Sequence, residues 1–313
     1  MGRYRLGDII RLTRKSLSIT QEQLCDGICS VETLSRMETG KQSPNRDTYE
    51  LLMERMGRIR ERAYSMLSVS DFKVLEKMKR FEDCIHGYDY EQAEEILQEI
   101  KSSLGHTVLD KQFLIRAENL IRYRLNQINT DEFLEGLQQA IQLTIPRYGT
   151  ISLASWPLTF NEALLLLNIS TAYAEKEDYE KAISILEEAK SALKQSYMDE
   201  QQRVLMQLSN IYNLSKWYSV IGEYEKSNDI AAEGIELCRK HRLCSTLPQL
   251  IYAIAWNNEQ LINMGVLPKD HMRKCFYDFR KGYYLASAFQ SNYAQQIIEG
   301  HVMESFQIAL ADD

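Results

Sequence analysis

Apolar residues along this chain recur at intervals of three and four, the spacing that gathers them on one face of a helix. Leu6, Ile10, Thr13 and Leu17 mark a first amphipathic helix. Thr20-Gln21-Glu22-Gln23 fits a capping box, in which the Thr20 side chain bonds the first-turn backbone and Gln23 reaches back. A second helix then runs from Gln21 to about Ile28, with Leu24 and Ile28 turned inward. Ser30 caps a third, through about Glu38, that buries Leu34 and Met37; Gly40 ends it and Pro44 prevents its resumption. Residues 49–56 form a further apolar helix. Four short helices, two of them joined by a tight turn, make a helix-turn-helix arrangement.

From residue 71 the helical pattern repeats itself. Tyr173, Tyr179, Ala182, Leu186 and Ala189 form one block, and Tyr218, Gly222, Tyr224, Ser227, Ala231 and Gly234 repeat it 45 residues later. Tyr90, Ala93 and Leu97 are an earlier copy; Phe133, Gly136 and Ala140 are a weaker one. The small residues Ala93, Gly136, Ala182 and Ser227 are spaced by 43, 46 and 45. Small side chains there let two helices approach closely, and the aromatics fill the space between hairpins. The blocks resemble tetratricopeptide repeats, although their spacing exceeds that family's usual length. The expected body is therefore about five hairpins over residues 71–313, closed by a helix within 291–310. Pro146 and Pro157 bracket the connection before the third hairpin, Pro248 opens the fifth, and Pro268 lies in its turn.

Composition supports this all-α reading and narrows the function. Only 14 Gly and 5 Pro in 313 residues are too few for a turn-rich sandwich or barrel. With 44% hydrophobic and 26% charged residues, the chain is not disordered in character. The net charge of −7 conceals an asymmetry: residues 1–62 hold 12 basic and 9 acidic side chains, the remainder 25 and 35. A small basic module, suited to phosphate, precedes a larger acidic one. Residues 1–17 lack the apolar run of a signal peptide, Leu6 stands where a myristoylation signal needs Ser or Thr, and the most apolar run, 163–167, is too short to span a bilayer. The expectation is a cytoplasmic protein with no membrane contact and six reduced cysteines. Cys25 and Cys29 lack further ligands at zinc spacing, and no phosphate loop or paired metal ligands appear, so no metal, no cofactor and no enzymatic activity are expected.

The N-terminal motifs carry a resemblance. Thr20 to Leu24, then Ser30-Val31-Glu32-Thr33-Leu34-Ser35-Arg36-Met37-Glu38-Thr39-Gly40-Lys41, then Pro44, are similar to the Xre/Cro/C1 family of DNA-binding domains. The likeness spans about residues 4–57 and departs from the family at 25–29, one residue short before the third helix. The resemblance implies that the third helix enters the major groove. Its outward residues would be Val31, Glu32, Ser35 and Arg36. Arg36 suits guanine O6 and N7, Val31 a thymine methyl, and Glu32 the amino group of cytosine. Ser30 opens that helix, while Gln21, Thr39 and Lys41 would hold backbone phosphates. The resemblance also implies an Arg14–Glu38 ion pair between the first and third helices. The basic run 58–62 belongs to an expected linker, 58–70, which leaves 1–57 as the DNA-binding domain.

The expected architecture is thus an N-terminal helix-turn-helix domain followed by a right-handed superhelix of tetratricopeptide-like hairpins. Stacked hairpins line a concave side with their first helices, and an extended peptide fits there. An Asn amide can bond both N–H and C=O of such a peptide. Asn168 and Asn213 precede Ala182 and Ser227 by 14 residues each, so they share one repeat position. By analogy with peptide-binding repeats, that position faces the groove. Thr171 and Lys216 extend the same faces. Asn257 or Asn258 is the nearest equivalent in the fifth hairpin, and Arg122 takes the matching place in the second.

Together the two parts resemble the RRNPP regulators of the PlcR/Rgg type. That resemblance implies a homodimer on an inverted-repeat operator, controlled by a short signalling peptide. Two alternatives share these features: a DNA-binding regulator whose repeats serve only dimerisation or partner binding, and a repeat-based adaptor that sequesters another protein.

Overall fold

The computed structural model describes residues 6–308 and 310, except 57–71, 103–107, 155, 157, 195, 197 and 199. The expected linker, its basic run and Pro157 lie outside the described residues. Every regular element among the described residues is helical. In the first part these are α1 (Leu6–Ser16), α2 (Gln21–Cys25), α3 (Val31–Glu38) and α4 (Arg46–Arg55). They are followed by α5 (Phe72–His86), α6 (Tyr90–Lys101), α7 (Val108–Arg124), α8 (Thr130–Gln142), α9 (Phe160–Glu175) and α10 (Tyr179–Leu193). The last are α11 (Glu200–Val220), α12 (Tyr224–His241), α13 (Leu247–Asn263), α14 (Met272–Ala288) and α15 (Asn292–Phe306). The chain forms two compact units, one of residues 1–129 with 142–146, the other of 130–141 with 147–313.

In the first unit, α1 to α4 close around Ile10, Leu24, Leu34 and Leu52, all fully buried. The capping box at Thr20 forms as expected, with the Gln23 N–H on Thr20 Oγ1 and the Thr20 N–H on Gln23 Oε1. The second helix is shorter than the apolar pattern predicts. Asp26 leaves helical geometry with ψ of 124° and Gly27 takes a φ of +68°, a left-handed conformation that glycine adopts without steric cost. Ile28 still packs against the core from the turn. The fourth helix starts earlier than predicted, because the Asn45 side chain accepts the Thr48 N–H at 2.8 Å and caps it. Leu17 falls beyond the end of α1 and is exposed. Arg55 Nη1 donates to the carbonyls of Leu24 (3.1 Å) and Asp26, satisfying acceptors left open at the end of α2. A separate core in this unit joins Phe81, Ala93, Leu97, Phe113 and Ala117 of α5, α6 and α7.

The second unit is a succession of antiparallel pairs. Successive helices pack from α9 through α15, and α9 also packs directly on α11. The small positions are the contact points: Ala182 and Ser227 are fully buried, and a Cβ on Gly234 would stand 2.8 Å from Ile211 and Leu250. Leu186, Leu208, Leu214, Ala231 and Leu250 fill the core between α10 and α13. Pro248 sits in the first turn of α13, where its missing N–H costs nothing. α15 closes this succession, burying Ala294, Ile298 and Val302. No helix among the described residues is long and apolar enough to cross a membrane.

Candidate DNA-reading helix and ligand-facing asparagines

α3 is held rigidly from behind. Arg14 donates from Nε to Glu38 Oε1 at 2.6 Å and from Nη2 to Oε2 at 2.8 Å, and its Nη1 bonds the Ile19 carbonyl. Glu38 is only 3% exposed. Burial alone would raise its pKa, but hydrogen bonds from Arg14 and Gln21 and the Arg14 charge outweigh that, so the carboxyl lies below its ordinary value. The same hydrogen bond raises the pKa of Arg14. Gly7 completes the clamp: a Cβ there would lie 1.7 Å from the Met37 carbonyl oxygen, so only glycine lets α1 approach α3 this closely.

With its inner side fixed, α3 presents the expected residues outward to different degrees. Glu32 and Arg36 are exposed, whereas Val31 and Ser35 are half-buried. The Glu32 carboxyl is held below its usual range by its own backbone N–H and then by the Ser30 hydroxyl. Ser30 caps α3, its Oγ accepting the Thr33 N–H at 3.2 Å. Thr39 donates its hydroxyl to the Ser35 carbonyl at 2.8 Å, and Lys41 stands exposed beyond it. Gln21 differs from the expectation: its Nε2 donates to Glu38 Oε2 at 2.8 Å. Its side chain therefore braces the Arg14–Glu38 pair, which leaves the backbone of the first α2 turn as the natural phosphate donor at this place.

In the second unit one internal comparison fixes the repeat register. Ser170 on α9 donates to the Ala182 carbonyl on α10 at 3.0 Å. Ser215 on α11 makes the equivalent bond to the Ser227 carbonyl on α12 at 3.3 Å. These serines follow Asn168 and Asn213 by two residues, about 200° around a helix. Both asparagines therefore lie on the sides of α9 and α11 turned away from their hairpin partners. Asn168 Oδ1 is buried with no hydrogen-bond partner among the described residues. Thr171 spends its hydroxyl on the Leu167 carbonyl at 3.0 Å, and the Lys216 ammonium sits 4.6 Å from the centre of the Trp217 ring.

The structure adds two residues that the asparagine spacing did not single out. Asn210 and Trp217 lie three before and four after Asn213, on the same side of α11. Asn210 Oδ1 and Trp217 Nε1 are both buried without partners, while Asn210 Nδ2 holds the Leu186 carbonyl at 3.1 Å. Their signal in the sequence was polar atoms at positions flanking Asn213 on one helix face.

Asn257 does not belong with them. It is fully buried, its Nδ2 donates to Ser227 Oγ (2.8 Å) and Asn228 Oδ1 (2.9 Å), and its Oδ1 accepts from Ser219. It ties α11, α12 and α13 together and has no amide atom left for a ligand. A count of 45 residues from Asn213 leads instead to Asn258, which is half-buried and accepts from Asn228 at 2.9 Å. Arg122 lies exposed on α7, in the other unit. Among the described residues no cluster of three or more His, Cys, Asp or Glu could hold a metal ion.

Residues 10–62 match the family model described as Helix-turn-helix. No curated protein matches the sequence. Among solved structures, PlcR of Bacillus thuringiensis, in complex with the peptide PapR7 and DNA, is similar over 95% of this chain and 99% of its own, with a TM-score of 0.62 and 17% identity. ComR from S. thermophilus, in complex with DNA and its signalling peptide ComS, gives 0.54 and 15% over 96% and 99%. The SHP pheromone receptor Rgg2 of Streptococcus dysgalactiae gives 0.52 and 12% over 96% and 99%. The chain is thus an all-helical protein with an N-terminal helix-turn-helix domain. Its body has the helical-repeat fold of PlcR, ComR and Rgg2.

Proposed function

We propose that this protein is a sequence-specific DNA-binding transcriptional regulator of the RRNPP type, controlled by a short signalling peptide. The clamped α3 reads the major groove, with Arg36 on guanine and Glu32, Val31 and Ser35 beside it; Lys41 and the α2 N-terminus hold phosphates, while the Thr39 hydroxyl stays on the Ser35 carbonyl. The protein acts in the cytoplasm as a homodimer on an inverted-repeat operator, and catalysis has no part in this reading. The similarity to PlcR and ComR, whose structures contain both DNA and peptide, supports it.

The single observation that carries the peptide half is the buried, unpaired Asn168 Oδ1 at the repeat position that Asn213 shares. A buried acceptor without a donor costs about 1–3 kcal/mol, and the N–H of an extended peptide would satisfy it. The peptide can change DNA affinity only through unequal affinity for two arrangements of the protein.

The test has two stages with the full chain. Selection from a pool of random duplexes should yield an inverted repeat. Titration with peptides encoded near the gene should then change affinity for that repeat in the wild type and not in Asn168→Ala/Asn213→Ala. Regulation that survives the double variant returns the repeats to dimerisation or partner binding. An Arg36→Ala protein with unchanged promoter output points to the adaptor.

A further inference from the structure

α11 has a second polar side. Arg203, Gln207 and Ile211 recur every four residues along it and line a half-open cavity of about 420 Å³ between α10 and α12. Asn213 follows Gln207 by six residues, about 240° further around the helix. The cavity and the asparagine face are therefore different sides of α11. The volume falls in the range of small-molecule sites.

The lining combines an apolar floor with cationic walls. Val204, Ile211 and Leu237 form the floor. Lys190 and Lys194 come from the end of α10, Arg203 from the first turn of α11, and Lys240 from the end of α12. Two carboxylates share the lining: Glu233 pairs with Lys190 at 2.5 Å, and Glu200 lies 3.6 Å from His241. Lys194, Arg203 and Lys240 have no acidic partner within 4.0 Å among the described residues.

Ordinary helix electrostatics accounts for part of this. Lys194 and Lys240 stand at helix C-termini, where a cation complements the dipole. Arg203 does the opposite, standing in the first turn of α11 near the positive end of its dipole and converging with like charges. An anion bound among the three cations would offset their mutual repulsion and the unfavourable place of Arg203 on the helix dipole.

We propose that this cavity is a second ligand site, one that binds a phosphorylated small molecule. Arg203 offers a planar fork to two phosphate oxygens, and the two lysines supply point charges around it. The organic part of the molecule lies on Val204, Ile211 and Leu237. The site is separate from the proposed peptide site and does not depend on that reading.

Isothermal titration of the full chain against ADP and against pyrophosphate tests this. One-to-one binding is expected, tighter for ADP because pyrophosphate leaves the floor uncovered, and weaker as salt rises. Lys194→Gln/Arg203→Gln/Lys240→Gln should bind at least roughly tenfold more weakly while melting as the wild type does. Lys181→Gln, at the opposite end of α10, should retain full affinity. Undiminished binding by the triple variant, absence of heat with both compounds, or pyrophosphate binding as tightly as ADP would overturn the proposal.

Discussion

Arg14 and Glu38, 24 residues apart, meet through two parallel hydrogen bonds that fasten the first helix to the reading helix. A buried bidentate pair of this kind is costly to break by halves, because the remaining charge stays desolvated. Arg14→Ala should therefore destabilise the α1–α4 domain by about 3–5 kcal/mol. Hydrogen exchange at α1 and α3 amides would register the loss. Wild-type protection with weakened DNA binding would instead make Arg14 a phosphate contact.

The same pair sets an acid limit. Glu38 has a pKa below its unfolded value, so its contribution is present above the unfolded carboxylate pKa, about 4.3, and is lost as pH falls through the lowered folded value. Stability of α1–α4 should decline with acid in the wild type over that window. Glu38→Gln should be less stable at neutral pH and flatter below it. Parallel acid profiles for the two proteins would contradict this origin of the acid sensitivity.

Gly7 should tolerate no side chain. A Cβ would fall 1.7 Å from the Met37 carbonyl oxygen, which is backbone and cannot swing away. Gly7→Ala is expected to cost about 3 kcal/mol, in the upper range for overpacking, and to separate α1 from α3. Denaturant unfolding of the variant measures the cost, and a midpoint equal to the wild type refutes it.

Arg36 and Lys41 should fail in different ways. Loss of a base-reading Arg36 removes about 1–3 kcal/mol of discrimination at one operator position. Lys41→Ala should weaken all sequences alike and reduce the salt slope by about one. Binding curves over single-base operator variants at several salt concentrations distinguish the two patterns. Equal losses on every sequence for Arg36→Ala would reduce it to a backbone contact.

Asn168 and Asn257 should respond oppositely to truncation. Asn168→Ala removes a buried acceptor that has no donor, so the ligand-free protein should be as stable as before or gain about 1 kcal/mol. Asn257→Ala takes a hydrogen-bond partner from each of Ser227, Asn228 and Ser219 in a buried network and should cost about 2–4 kcal/mol. Thermal melts of the two variants suffice. A large loss for Asn168→Ala would give it a structural role.

Much of the fold was legible because it rests on local signals. The Thr20 capping box, Ser30 and the buried Leu34 and Met37 each follow from side-chain chemistry acting over three or four residues. The 45-residue period was legible because close helix approach demands small side chains at Ala182 and Ser227. Apart from the Arg14–Glu38 pair, which the family resemblance implied, tertiary contacts were not legible: Arg55 on the α2 carbonyls, Gln21 on Glu38 and Asn257 within its network depend on partners far along the chain. The early end of α2 escaped because Leu24 and Ile28 share a face whether or not the helix continues. Asn257 misled for the same reason, since an asparagine reads alike in sequence whether it points to a ligand or into a core.

The serine bonds at 170 and 215 have an evolutionary consequence. Each closes its hairpin from within, using a donor and an acceptor 12 residues apart in one unit. A duplicated stretch of this length would arrive with its own internal alignment already encoded. Arrays of this kind can therefore lengthen or shorten by whole modules while selection acts separately on the asparagine two residues away.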